Sequence, residues 1–398
     1  MAHTMGVLSI VCVALACVPV AFAQAPPQTQ AAASTTSNEP TKMIDWLKQP
    51  PDQGGGIHLS KHFAVVFGGI KQGSGIALGP AMSTKFANGG FAQVKAEYSI
   101  KKFALFQGRY DSPRFWRARA VLINRARWED ALKLPLYRLG MDSPERHIDH
   151  SERKRELSSR LTMDVTPNFI FGAGYGVERF TTSDARIDLD NGDIALPPIA
   201  PLPGVFSRPW YGHAFVMTAW DSRDSESYNT KGQLFEARLH FFNDWKGGAD
   251  PFQRFEGTAE QVAQTFGGRG IVDVSARTWL SISKQPEDVP FFLMPYLGGG
   301  DFLRAYSTYR FRDRDALLLR GEYRWVVHKM VDVAGLYEAG VVGPKVDALT
   351  FGDMAQSIAL GVRVHSKKTN LFRADVAYGR EGVGFKVGIS TGGGASGS

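Results

Sequence analysis

Leu317-Leu318-Leu319-Arg320-Gly321-Glu322-Tyr323-Arg324-Trp325-Val326-Val327 alternates in character almost residue by residue. Leu317, Leu319, Gly321, Tyr323, Trp325 and Val327 fall on one side of an extended chain, and Arg320, Glu322 and Arg324 on the other. Successive side chains of a strand point to opposite faces, so this stretch is a strand with one apolar and one charged face. The pattern recurs. Ala92, Val94, Ala96 and Tyr98 oppose Gln93, Lys95 and Glu97, and Phe235, Ala237, Leu239 and Phe241 oppose Glu236, Arg238 and His240. Phe372, Ala374, Val376 and Tyr378 oppose Arg373 and Asp375, and Val383, Phe385, Val387 and Ile389 oppose Gly384, Lys386 and Gly388.

Two architectures use such strands. A soluble sandwich turns the apolar face inward, whereas a membrane barrel turns it out to lipid and lines its lumen with the polar face. The barrel fits better. Many strands reach ten residues or more, against about five or six in an average soluble strand. The polar faces mix Arg with Glu, as a lumen of paired charges requires. Tyr98, Phe241, Trp325 and Tyr378 end the apolar faces, where an interfacial aromatic girdle belongs. A closed barrel also leaves no strand edge and satisfies every backbone group in lipid.

The pattern places strands at 63–70, 75–85, 90–100, 102–110, 114–128, 152–165, 168–181, 211–224, 231–243, 252–266, 270–283, 315–328, 330–341, 354–365, 370–379 and 382–391. That is an all-β, antiparallel transmembrane barrel of about 16 strands over 61–391, the even number bacterial outer-membrane barrels use. The short links at Lys101-Lys102 and Ser366-Lys367-Lys368 read as periplasmic turns. The long links 129–151, 182–210 and 284–314 read as extracellular loops. The tail 392–398 (GGGASGS) reads as flexible.

In the 398-residue chain, no apolar run beyond the N-terminus approaches the ~18 residues of a membrane helix. Residues 6–22 are apolar and lead into the small-x-small site Ala21-Phe22-Ala23, so 1–23 reads as a cleaved signal peptide. Both cysteines, Cys12 and Cys17, lie inside it, which leaves an exported chain that does not rely on disulfides. Residues 24–60, rich in Gln, Ala, Pro, Thr and Gly, read as a disordered linker too short for a domain.

Several segments resemble the bacterial surface antigen family, the barrel shared by the BamA and TamA assembly proteins. Trp220-Asp221-Ser222-Arg223-Asp224-Ser225, with Lys231-Gly232 after it, is similar to the family's D-x-R-D strand pair. Leu136-Tyr137-Arg138-Leu139-Gly140-Met141-Asp142-Ser143 is similar to its FYGLG-x-x-S segment. Leu297-Gly298-Gly299 with Leu303-Arg304-Ala305-Tyr306 resembles the inward-folded loop, with Ala305 standing where the family has Gly. Gly335-Leu336-Tyr337-Glu338-Ala339-Gly340 resembles its G-x-x-F-x-D-x-G strand, and Gly361-Val362-Arg363 with Phe372 to Gly379 its last strands.

The loop motif also carries its own physical argument. An always-charged, fork-shaped guanidinium on a Gly-flanked loop tip needs a carboxylate partner in a lumen. Glu322 and Glu338 project from the two strands after that loop, so one of them is expected to hold Arg304 and pin the loop inside the barrel. The resemblance implies the same latch. On this reading Arg304→Ala should weaken the barrel, and Arg310→Ala in the same loop should not.

The resemblance implies work on polypeptides, either inserting other barrels or moving a partner across the outer membrane. The first and last strands would pair imperfectly, with Gly384 and Gly388 weakening the seam, and offer an edge to an incoming strand. The family's assembly proteins carry periplasmic modules that 24–60 is too short to hold, so a separate periplasmic partner is the companion expectation. A passive channel or surface receptor is the alternative, and an outer-membrane barrel hydrolase the third reading. No motif supports the hydrolase, although His213, His240 and His365 lie on strands. His147-x-x-His150 sits in a charged stretch that reads as a solvated loop rather than a metal site. No cofactor, metal or nucleic acid is expected, and the barrel should be monomeric. The net charge of +7 includes Arg109, Arg114, Arg117, Arg119, Arg125 and Arg127, which fit lumen arginines or contacts with lipopolysaccharide.

Overall fold

Burial separates the two architectures. On the strand at 91–99, Val94 and Tyr98 are 48% and 59% exposed, while Lys95 and Glu97 are 2% and 4% exposed. On that at 370–379, Val376 and Tyr378 face out and Asp375 is buried. Charges are inside and apolar side chains outside, the inverse of a soluble sandwich and the arrangement of a barrel in lipid.

The computed structural model describes residues 55–187, 202–204, 208–225, 228–245, 251–366 and 370–389. The signal peptide expected at 1–23, the linker as far as residue 54, the tail 392–398 and most of 188–209 lie outside the described residues. The strands are β1 (Gly55–His58), β2 (Phe63–Gly68), β3 (Ala77–Lys85), β4 (Phe91–Ser99), β5 (Ala104–Asp111), β6 (Ala120–Leu136), β7 (Ile148–Thr166), β8 (Phe169–Ile187), β9 (Trp210–Asp221) and β10 (Gly232–Asp244). They continue as β11 (Phe252–Thr265), β12 (Gly270–Ile282), β13 (Tyr296–Leu297), β14 (Phe311–Arg312), β15 (Asp315–His328), β16 (Val331–Gly343), β17 (Ala355–His365), β18 (Asn370–Gly379) and β19 (Gly382–Ile389). No described helix is long and apolar enough to cross a membrane.

From β2 to β12 and on from β15 to β19, each strand pairs antiparallel with the next, giving the sixteen-stranded wall. Among the described residues no ladder joins β19 to β2. The other edge of β2 carries β1, from Gly55 opposite Phe67 to His58 opposite Ala64. Residues 55–58, expected in the linker, are therefore strand. β13 and β14 form a small ribbon within the long loop 283–314.

The ladder corrects several boundaries. The strand expected at 114–128 runs over Ala120–Leu136, because Pro113 has no N–H and Trp116, Arg117 and Ala118 turn through left-handed backbone (φ 49°, 57° and 61°). β6 ends at Leu136 and β7 starts at Ile148, so the loop expected at 129–151 shrinks to 137–147, and β8 runs to Ile187, into the loop expected at 182–210. These strands continue past the apolar band, where the outer face is polar too, so alternation stops while the ladder does not. His150, expected in a solvated loop, is buried in β7, with Nδ1 3.0 Å from the Leu134 carbonyl and its ring against Phe291.

The links also sort by end. One end has 86–90, 112–119, 167–168, 222–231, 266–269, 329–330 and 366–369; the other has 69–76, 100–103, 137–147, 188–209, 245–251, 283–314, 344–354 and 380–381, and all the longest links are there. Short turns face the periplasm and long loops the exterior. Lys101 and Lys102, expected in a periplasmic turn, lie at the long-loop end, because the count of strands before them is fixed by β2–β4. Arg114, Arg117 and Arg119 lie in the short turn 112–119.

Candidate functional site: the loop held in the lumen

Loop 283–314 folds into the barrel and fills it. Leu297, Phe302, Leu303, Ala305, Tyr306 and Phe311 pack on wall residues that include Leu318, Leu336, Val342 and Ala377. The tip turns through Gly298 and Gly299 (φ 104° and 122°); a Cβ on Gly298 would lie 2.3 Å from the Ser307 carbonyl oxygen. The left-handed residue beside Arg304 is Leu303 (φ 51°) rather than Ala305, so Ala serves where the family carries Gly. The wall is shaped for the loop. A Cβ on Gly340 would meet Leu297 at 2.7 Å, one on Gly379 would meet Ala305 at 2.8 Å, and one on Gly384 would meet the Arg304 carbonyl at 2.7 Å. Gly388 gives space to the Arg373 side chain.

Arg304 and Glu338 are both wholly buried. Arg304 Nη1 lies 3.1 Å from Glu338 Oε1, and the Arg304 backbone N–H donates to Glu338 Oε2 at 2.8 Å. Ala305 N–H donates to Ser357 Oγ, and the Tyr306 hydroxyl to the Gln356 carbonyl. Glu322 does not meet Arg304. The β15–β16 register sets Arg320, not Glu322, across from Glu338, and Glu322 instead receives Arg320, with Arg363 and Arg324 at 3.4 and 3.8 Å. The second carboxylate near Arg304 is Asp375, 3.3 Å from Nε, which also accepts from Arg363 at 2.6 Å. Asp375 was legible as an inward residue of its strand, but nothing in the sequence showed how deep the loop would reach.

Arg310, the intended silent comparison, is itself a tether. Its Nε donates to Glu381 in the β18–β19 turn at 2.8 Å, and its Nη atoms to the Ser143 hydroxyl and carbonyl. Asp301 accepts from Arg373 of β18 at 2.6 Å and from Gln72 of the β2–β3 link at 3.0 Å. The loop thus grips elements on both sides of the β19–β2 seam.

The Asp221, Arg223, Asp224 and Gly232 motif shapes the opposite end. Asp221 receives Arg223 Nε and Nη2, and Arg223 Nη1 reaches Glu260. Asp224 accepts from the backbone N–H of Thr230 at 2.8 Å and from that of Lys231, and Gly232 turns the chain at φ 111°. The turn folds inward. Tyr228 stacks on His365 with centroids 3.6 Å apart and donates to Asp332 at 2.8 Å, while Arg324 donates to the Asn229 carbonyl. His213 bridges Glu178 and His240 at 2.9 and 2.8 Å, and Glu256 lies 3.6 Å beyond His240. His213, His240 and His365 are thus engaged by carboxylates or by each other.

A sixteen-stranded wall with outward apolar faces and a charge-packed lumen defines an outer-membrane-type β-barrel. Its fold is that of BamA. BamA from Haemophilus ducreyi, solved without POTRA domains 1–3, is similar at a TM-score of 0.60 and 11% identity, over 82% of this chain and 68% of that one. CdiB from Escherichia coli is similar at 0.53 and 12%, over 82% of this chain and 62% of its own. Neither a protein-family profile nor a curated protein sequence matches the chain.

Proposed function

We propose that this barrel resides in the bacterial outer membrane, reached through a cleaved signal peptide, and handles polypeptides there by lateral strand exchange, aiding their insertion or translocation. The observation that carries this reading is the seam. β19 presents an edge with no described ladder, and the facing edge of β2 is occupied only by the four-residue β1. An exposed edge pairs readily with another extended segment. Loop 283–314, fastened through Arg304, Arg310 and Asp301, stands behind the seam as its latch. The passive-channel reading meets a lumen filled from one end by this loop and from the other by the turn 222–231.

The test locks the seam. Neither cysteine of the chain lies beyond residue 17, so Gly56→Cys with Val66→Cys places a lone pair at opposed register positions of β1 and β2. Oxidised cells carrying only this variant should lose other barrels from the outer membrane, and reduction should restore them. Unchanged barrel content on both locking and depletion would reject the role. Altered solute uptake alone would support the channel.

A further inference from the structure

The short-turn rim is basic on its surface and acidic only within. Lys61, Lys85, Arg117, Arg119, Lys231, Arg269 and Lys329 are exposed there. Asp111, Asp164, Asp221 and Asp332 at the same end are buried, and Asp224 is used inside its own turn. No exposed carboxylate therefore balances these seven cations among the described residues of this rim.

Aromatic side chains stand beside the cations. Phe86 follows Lys85 and packs on Tyr110 at 6.3 Å. Phe115 and Trp116 precede Arg117 and meet edge-to-face at 5.4 Å, with Trp116 62% exposed. Phe266, 72% exposed, lies three residues before Arg269 and packs on Trp325 at 6.0 Å. Three successive left-handed residues hold Trp116 and Arg117 out from the end of the wall.

We infer that this rim is a collar that binds the anionic headgroups of phospholipids in the leaflet it faces. Aromatic rings settle at the boundary between acyl chains and headgroups, and adjacent Lys and Arg reach the phosphates and attract anionic lipid. The distribution favours a leaflet over a protein. The cations flank or occupy the turns at 86–90, 112–119, 222–231, 266–269 and 329–330 as well as the entry to β2, so they ring the barrel. A planar leaflet meets every sector of such a ring, whereas a docked acidic partner would need only one.

The test reconstitutes the full chain in phosphatidylcholine vesicles containing either phosphatidylglycerol or further phosphatidylcholine with brominated acyl chains, at equal mole fraction. Bromine quenches nearby tryptophan fluorescence. Brominated phosphatidylglycerol should quench severalfold more per lipid at low salt, and the preference should vanish at high salt. Replacing Lys85, Arg117, Arg119 and Arg269 by Gln should abolish it too, with heat-modifiable gel migration reporting that the variant folds. Should it not fold, the salt dependence of the unsubstituted chain still decides. Equal quenching by both lipids at low salt would overturn the inference. So would equal quenching accompanied by polyglutamate binding that the Gln variant loses, which would assign the collar to an acidic polypeptide.

Discussion

Arg304→Ala removes the guanidinium from a site with no water access. Deleting one partner of a buried ion pair costs about 3–5 kcal/mol, mostly because the other charge stays buried without compensation. Three features place this case at the low end. Glu338 keeps the Arg304 backbone N–H at 2.8 Å, Arg320 stands across the ladder from it, and Asp375 keeps Arg363 at 2.6 Å. A cost of about 3 kcal/mol shifts the docked-to-undocked ratio of the loop roughly a hundredfold. Hydrogen exchange read by mass spectrometry would report it. The amides of Ala305 and Tyr306, bonded to Ser357 and Leu303, should exchange about a hundredfold faster, with those of β4 and β5 unchanged. Adding Glu338→Gln should recover part of the loss, because it removes the stranded charge. Unchanged exchange in Arg304→Ala, or a double variant worse by the full sum of the singles, would refute the assignment of the pair as the loop's anchor.

Arg310→Ala should also free the loop, by about 1.5–3 kcal/mol for charge-assisted hydrogen bonds, and the exchange change should extend to 137–147, where Ser143 sits. Gly379→Val should undock the same loop without altering any charge, since a Cβ there meets Ala305 at 2.8 Å and the Gln356 carbonyl at 2.9 Å; overpacking of this kind costs about 1–3 kcal/mol and would appear as faster trypsin cleavage between Lys284 and Arg314. Deleting 285–310 together with Tyr228→Ala should turn a barrel of low single-channel conductance into a steady conductor, whereas either change alone should do less.

The wall was readable wherever a strand crosses lipid, because only there must its two faces differ. Val94 against Lys95, or Tyr378 against Asp375, states the rule in two residues. Where β6, β7 and β8 pass into water, Glu129, Asp130, Asp149 and Thr182 sit in the ladder with no alternation to betray it. The end to which Lys101 and Lys102 belong was hidden for another reason. A turn's length says little about its side, which depends on the number of strands before it. The latch was half readable. Arg304 and Glu338 could be paired from residue type and order, but choosing between Glu322 and Glu338 required the β15–β16 register, and the Arg310 and Asp301 tethers required the path of the loop.

The seam owes most to elements too short for pattern reading. Gly55–His58 carries no period, yet it fixes which edge is exposed. β1 pairs through four residues, β19 with β18 through eight, and β11 with β12 through thirteen. Hydrogen-bonded ladders separate most readily where they are shortest, so β1 leaves before any wall strand does. Its departure frees β2 while the loop, tied by Asp301 to both Gln72 and Arg373, still bridges the gap. On the strand-exchange proposal, this seam would have two independent controls, a short self-strand on the edge and a charged clasp behind it. The same proposal expects that loosening one without the other leaves the barrel closed to an incoming strand.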